Sequence, residues 1–236
     1  MIKGTFTIER GLEESKMKDV ELLVQLFEAS RNEDNATPMA KYMRDQFPFL
    51  GIKTPERKEL LKQFFQESNI LKSPFQAEFV LQLWELDERE YQYAALTYIE
   101  KMVKKLTKND LSLMEQLILT KSWWDTVDVL APKPVGTLAK QYPEIIREKL
   151  DVWAINENMW LRRSAILFQL KFKQNTNEDI LYRYITQNAT DKEFFIQKAI
   201  GWALREYSKT NPHSVRNFIE HQPLANLSIR EGSKYI

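Results

Sequence analysis

The chain has 236 residues, 43% of them apolar, and 34 Lys and Arg against 33 Asp and Glu; the length allows one large domain or two small ones with a real core. It contains no cysteine and only two histidines, His213 and His221, which excludes disulfides, thiolate nucleophiles and cysteine-ligated zinc and leaves no reason to expect a metal or other cofactor. No apolar run approaches the ~18 residues of a membrane span and the start lacks the apolar segment of a signal peptide, so no membrane contact is expected and a cytoplasmic location is the default expectation.

Residues 1–14 read as an N-terminal extension, and residues 15–236 as a single domain. Helical patterning begins at Ser15, with Val20, Leu23, Val24 and Phe27 on one stripe. Thr37-Pro38, Thr54-Pro55 and Ser73-Pro74 each read as a helix start, because proline suits the first helical position. Asp87 to Leu106 follows as a longer helix whose inner side carries Tyr91, Ala94, Ala95, Tyr98, Ile99 and Met102. After Asn109 to Leu119, a helix opening at Lys121-Ser122-Trp123-Trp124-Asp125-Thr126-Val127-Asp128 should be interrupted or kinked by Pro132 and Pro134. Further helices are expected over Glu144 to Trp153, Asn158 to Phe172, Asn177 to Thr186, Lys192 to Tyr207, Pro212 to Glu220 and Ser228 to Tyr235, and no strand. Six glycines and nine prolines leave little room for the turns of an all-β fold.

Tyr91-Gln92-Tyr93-Ala94-Ala95, Leu161-Arg162-Arg163-Ser164-Ala165 and Ile196-Gln197-Lys198-Ala199-Ile200 share a pattern: a large apolar residue, a polar pair, then small residues. With Trp123, these starts are spaced by 32, 38 and 35 residues. That is the period of helical repeats, in which stacked helix pairs bury a continuous core and curve into a concave surface. The expected architecture is therefore all-α, a curved superhelical solenoid of HEAT-like repeats. Its concave face would be basic, since residues 160–216 hold ten Lys and Arg against five Asp and Glu although the whole chain is only +1.

In the Trp-Trp-Asp stretch Ser122 is the expected N-cap, which places Trp124 and Asp128 at i and i+4 on one helix face. Trp123, in register with Tyr91 and Leu161, is expected in the core. Asp128 and Arg163 could each be an ordinary ion-pair partner, but three successive inner helices then offer a ring with a carboxylate, a guanidinium, and the ring of Trp202. Lys198, Trp202 and Arg205 at i, i+4 and i+7 make a poor core face and a good nucleic-acid one. Lys41, Tyr42, Arg44, Arg57 and Lys58 could extend a strip of phosphate contacts into the first repeats.

Three blocks make the combination specific: Lys121 to Asp128, Trp160-Leu161-Arg162-Arg163-Ser164-Ala165-Ile166-Leu167-Phe168-Gln169, and Glu193 to Trp202 with Leu204-Arg205-Glu206-Tyr207. From about Thr37 to the end the sequence resembles the AlkD family of bacterial DNA alkylation repair enzymes. This resemblance implies a HEAT-like superhelix and a DNA glycosylase that releases 3-methyladenine and 7-methylguanine type bases from double-stranded DNA. By position, the family's active-site aspartate falls on Asp128, its two flanking tryptophans on Trp124 and Trp202, and its phosphate-contacting arginine on Arg163. Tyr42, Thr54, Lys58 and Arg205 match positions expected at the DNA backbone, where a family arginine is replaced by Lys58. The protein is expected to act as a monomer. A rival reading keeps the fold without the chemistry, as a scaffold binding DNA structures or a protein partner.

Overall fold

The computed structural model describes residues 18–236, and the reading of residues 1–14 lies outside them. Among the described residues the secondary structure is helical, with no strand, in the helical-repeat architecture that the sequence implies. The chain divides into two compact units between Lys105 and Leu106.

The first unit contains α1 (residues 18–28), α2 (Glu33–Tyr42), α3 (Thr54–Ser68), α4 (Ala77–Glu85) and α5 (Arg89–Met102). Leu23 and Phe27 of the α1 stripe are fully buried, and all six inner residues of α5 are buried with them. Stacked rings tie the helices together: Phe27 on Tyr91 at 5.7 Å, Phe64 on Phe79 at 5.7 Å and Phe75 on Tyr98 at 5.6 Å between centroids. Of the three proline starts, Thr54-Pro55 opens α3 as expected. The other two are corrected. Pro38 lies inside α2, because Asn32 caps that helix by accepting the Asn35 N–H at 3.0 Å and so starts it earlier. Pro74 precedes α4, which begins at Ala77, and the carbonyls of Leu71 and Ser73 are held by the Lys105 ammonium at 2.9 and 2.7 Å.

A buried carboxylate organises the loop that leads into α3. Glu90, in the first turn of α5, accepts the backbone N–H groups of Leu50, Gly51 and Ile52 at 2.9, 2.9 and 3.1 Å. Gly51 adopts φ +88, and a Cβ there would lie 1.9 Å from the Asn32 carbonyl oxygen, so this turn requires glycine.

The second unit contains α6 (Leu111–Leu119), α7 (Trp124–Leu130), α8 (Gly136–Gln141), α9 (Asp151–Trp153), α10 (Met159–Leu167), α11 (Glu178–Gln187), α12 (Phe194–Ser208), α13 (Pro212–His221) and α14 (Asn226–Gly232). Pro132 and Pro134 act as expected: neither can donate to the carbonyl four residues back, and the chain widens into a π-helical turn over Ala131–Val135. There the Gly136 N–H reaches the Ala131 carbonyl five residues back. The core is built on Ile166, Leu167, Leu181, Ile185, Ile196, Ile200, Leu204 and Val215, contributed by α10 to α13.

The inner helices α5, α7, α10 and α12 begin at Arg89, Trp124, Met159 and Phe194, which are 35 residues apart in every case. The repeat is thus more regular than the uneven spacings of the sequence motifs suggest. In this register Asp128, Arg163 and Lys198 hold the same position, the fifth, of three successive inner helices.

Candidate active site

The entry into α7 differs from the expected cap. Trp123 is the capping residue, with extended backbone (φ −157, ψ 165), and makes no side-chain cap. The Ser122 hydroxyl is spent elsewhere, donating to the Ile118 carbonyl at 2.6 Å. The Thr126 hydroxyl donates to the Trp123 carbonyl at 3.2 Å, and Asp125 in the first turn suits the positive end of the helix dipole. Trp124 therefore opens the helix and Asp128 follows one turn later on the same face.

Trp123 turns into an aromatic cluster, with Trp160 of α10 at 5.8 Å and Phe195 of α12 at 5.2 Å, the latter edge to face. Trp160 and Phe195 are themselves 5.1 Å apart. The cluster is only partly enclosed, so Trp123 serves as a half-buried support for the site rather than a member of the deep core, and its indole N–H is buried without a partner.

Arg163 joins three helices at one point. Its Nε donates to Asp128 Oδ1 at 2.7 Å and its Nη2 to Asp128 Oδ2 at 2.8 Å, a bidentate pair. Its Nη1 donates to the Phe195 carbonyl in a short hydrogen bond, and the guanidinium carbon lies 5.9 Å from the centre of the Phe195 ring. The side chains of Arg163 and Asp128 are 5% and 17% exposed, so the opening to solvent is on the carboxylate side. Burial pushes the Asp128 carboxyl above its ordinary value; the hydrogen bonds and charge of Arg163 oppose this, and nearby Asp125 adds to the upward push. These bonds use three of the five guanidinium N–H donors, and the buried guanidinium is committed to its protein partners, so Arg163 acts as an ion-pair partner of Asp128 and not as the phosphate contact that the family resemblance implies. Arg162, next in sequence, has a separate task, bonding the Asn156 and Glu157 carbonyls and Asp191.

Trp202, two turns beyond Phe195 on α12, is half-buried against the core of the second unit. Lys198 and Arg205, on the same stripe, both meet Glu231 of α14, at 3.2 and 3.0 Å. Asp128, Trp124, Arg163, Trp202, Lys198 and Arg205 all belong to the second unit. Tyr42, Thr54 and Lys58 belong to the first, where each is exposed, Tyr42 by 73%. Arg57 is drawn into packing there instead, with its guanidinium 4.6 Å from the Tyr93 ring centre.

Three residues with structural roles around these sites were not singled out in the sequence: Phe195, which acts through its carbonyl, Glu90 and Glu231. A cavity of about 380 Å³ between α10, α11 and α12 is lined by Gln169, Lys173, Glu206 and Tyr207 among others, and by none of the candidate residues. Among the described residues no group of three or more His, Cys, Asp or Glu is placed to hold a metal ion, and no helix is long and apolar enough to cross a membrane.

A comparison with curated proteins gives no match. A solved structure described as "Predicted DNA alkylation repair enzyme from Enterococcus faecalis" is similar at 36% identity, covering 87% of this chain and 96% of that one, with a TM-score of 0.78. The structure of smu.31 from Streptococcus mutans UA159 shares the fold, at 22% identity and a TM-score of 0.56 over 76% of this chain and 97% of that one. The family profile described as "DNA alkylation repair enzyme" matches residues 23–236, which includes every candidate site residue, and the chain belongs to that family.

Proposed function

We propose that the protein is a monofunctional DNA glycosylase that hydrolyses the N-glycosidic bond of cationic alkylated purines, of the 3-methyladenine and 7-methylguanine type, in double-stranded DNA. The observation that carries this reading is Asp128: a partly accessible carboxylate held by a buried bidentate guanidinium and followed by a π-turn, a feature common at functional sites. Membership of a DNA alkylation repair family supports DNA as the substrate and favours alkylated bases as the lesion.

The chemistry fits one carboxylate. An N-alkylated purine carries a positive charge, so when the bond to the sugar breaks its electron pair neutralises the ring and the base leaves without protonation. No general acid is needed, in contrast to the carboxyl pair of ordinary glycosidases. Cationic character then develops on the deoxyribose, where ionised Asp128 stabilises it and accepts the proton of the water that adds to the sugar carbon. Trp124 and Trp202 offer ring faces to the cationic nucleotide, each contact contributing about 0.5–2 kcal/mol. Arg163, buried behind Asp128, fixes the carboxylate rather than reaching a phosphate, and Tyr42, Thr54, Lys58, Lys198 and Arg205 contact the backbone. The enzyme works as a cytoplasmic monomer, needs no cofactor and leaves an abasic site.

Asp128→Asn keeps the shape and removes the charge. Release of 7-methylguanine from methylated duplex DNA is expected to fall by at least about 100-fold while duplex affinity is retained. Undiminished release by this variant removes Asp128 from the mechanism. Salt-dependent duplex binding by the wild type without any base release would favour the scaffold reading instead.

A further inference from the structure

Helix α14 lies unusually close to α12. A Cβ on Gly201 would sit 2.5 Å from the Glu231 Cβ, and one on Gly232 would sit 3.1 Å from the Leu204 Cβ. The Ser228 hydroxyl donates to the Gln197 carbonyl at 2.9 Å, which fixes the register of the two helices. Glu231 is thereby set over the stripe of α12 that carries Trp202. Its Oε1 meets Lys198 at 3.2 Å, and its Oε2 meets Arg205 at 3.0 Å and Lys234 at 2.7 Å. Lys198 and Arg205 are seven residues apart, a rise of about 10 Å along the helix, and one carboxylate spans them by using both oxygens. Lys234 and then Lys198 hold the carboxyl down to about 2, so it is ionised throughout the physiological range. The three cations nevertheless keep 38%, 26% and 47% of their side-chain surface exposed, and three positive charges against one negative leave a surplus that attracts a further anion.

We infer that Glu231 is an internal stand-in for a DNA phosphate: it occupies Lys198 and Arg205 in the free protein and surrenders them to the DNA backbone when the duplex binds, so that it sets duplex affinity. This rests on the DNA-binding part of the proposed function. Because Trp202 stands between the two cations on the same stripe, the exchange takes place beside the lesion-facing ring. Lys234, on the C-terminal side of α14, keeps the displaced carboxylate partnered and lowers the cost of the exchange.

The test measures binding of a short fluorescein-labelled duplex by anisotropy from about 50 to 200 mM salt, with thermal unfolding of each variant in parallel. Glu231→Gln is expected to bind about 3- to 10-fold more tightly, as when two partly exposed ion pairs cease to compete. Its salt slope should be steeper by about one ion, because Lys198 and Arg205, no longer neutralised by Glu231, hold solution anions in the free variant that DNA binding releases. Folded Glu231→Gln with equal or weaker binding than wild type overturns the inference. Lys234→Gln provides a second arm that is safe for folding, since its side chain is exposed. It should weaken binding more than Lys209→Gln, which removes the same charge from a lysine paired with Glu206 instead. Equal effects of the two lysine variants also overturn it. A wild type with no salt-dependent affinity for DNA overturns the proposed function itself, an outcome separate from either of these.

Discussion

Replacing Arg163 by methionine keeps most of the side-chain volume and removes the partner of a carboxylate that is 17% exposed. Breaking a buried ion pair on one side costs about 3–5 kcal/mol, because the remaining charge keeps its desolvation penalty without compensation. The opening at Asp128 admits water, which places the expected loss near about 3 kcal/mol. For a protein of this size that lowers Tm by about 6–12 °C. The pH dependence has a definite sign. In the wild type the Asp128 carboxyl already titrates above its ordinary value, with Arg163 pulling it down against burial and Asp125. Without Arg163 only the upward influences remain, so the acid limb of the pH–rate profile for base release moves to higher pH and residual activity recovers on raising the pH. Stability moves the opposite way. A carboxyl raised in the folded state destabilises that state when ionised, and the penalty is relieved as the pH falls through the folded value. The gap in Tm between variant and wild type should therefore narrow on acidification. Circular dichroism melts and a pH series of 7-methylguanine release measure both effects. A variant that melts within about 2 °C of wild type, with an unmoved acid limb, refutes the assignment of Arg163 as the group that holds Asp128.

Three further outcomes test the surrounding structure. Glu90→Ala leaves three buried N–H groups at Leu50, Gly51 and Ile52 without their acceptor, and should lower stability by about 3 kcal/mol or more in denaturant titrations. Gly51→Ala forces a Cβ against the Asn32 carbonyl at positive φ, so a severe loss of soluble folded protein is expected, and a normal melt would contradict the turn geometry. Tyr42→Ala, at a side chain 73% exposed, should leave Tm unchanged and weaken duplex binding measured by anisotropy.

The helical architecture was legible because apolar spacing reports directly on the buried face: the inner residues of α5 could be named from the spacing of Tyr91, Ala94, Tyr98 and Met102 alone. Helix starts were less legible. A Ser-Pro or Thr-Pro pair states only that a turn or a first helical residue is compatible there, and Asn32 captures α2 before Pro38 is reached. Ser122 looks like a cap by residue type, yet its hydroxyl has an alternative acceptor at Ile118 that no local pattern reveals. The second unit's candidate residues stood out by their types and by family resemblance. Their pairing did not, although the 35-residue register that puts Asp128 and Arg163 at equivalent positions was a usable signal. Glu231 and the Phe195 carbonyl act across long sequence separations, one in a short charged helix and the other through the backbone, where side-chain identity carries no message.

The joint at Arg163 also bears on the order of events during synthesis. Its guanidinium takes two acceptors from residue 128 and a third from residue 195, so the arginine is held from both sides only once α12 has left the ribosome. While α7 and α10 wait, Asp128 and Arg163 can find each other in water, where their attraction is weak. Packing of α12 is what excludes the solvent and locks the pair. A nascent chain stalled between α10 and α12 would therefore carry every atom of the Asp128 and Arg163 side chains without the geometry, and the site would appear abruptly with the last repeats rather than growing with each one.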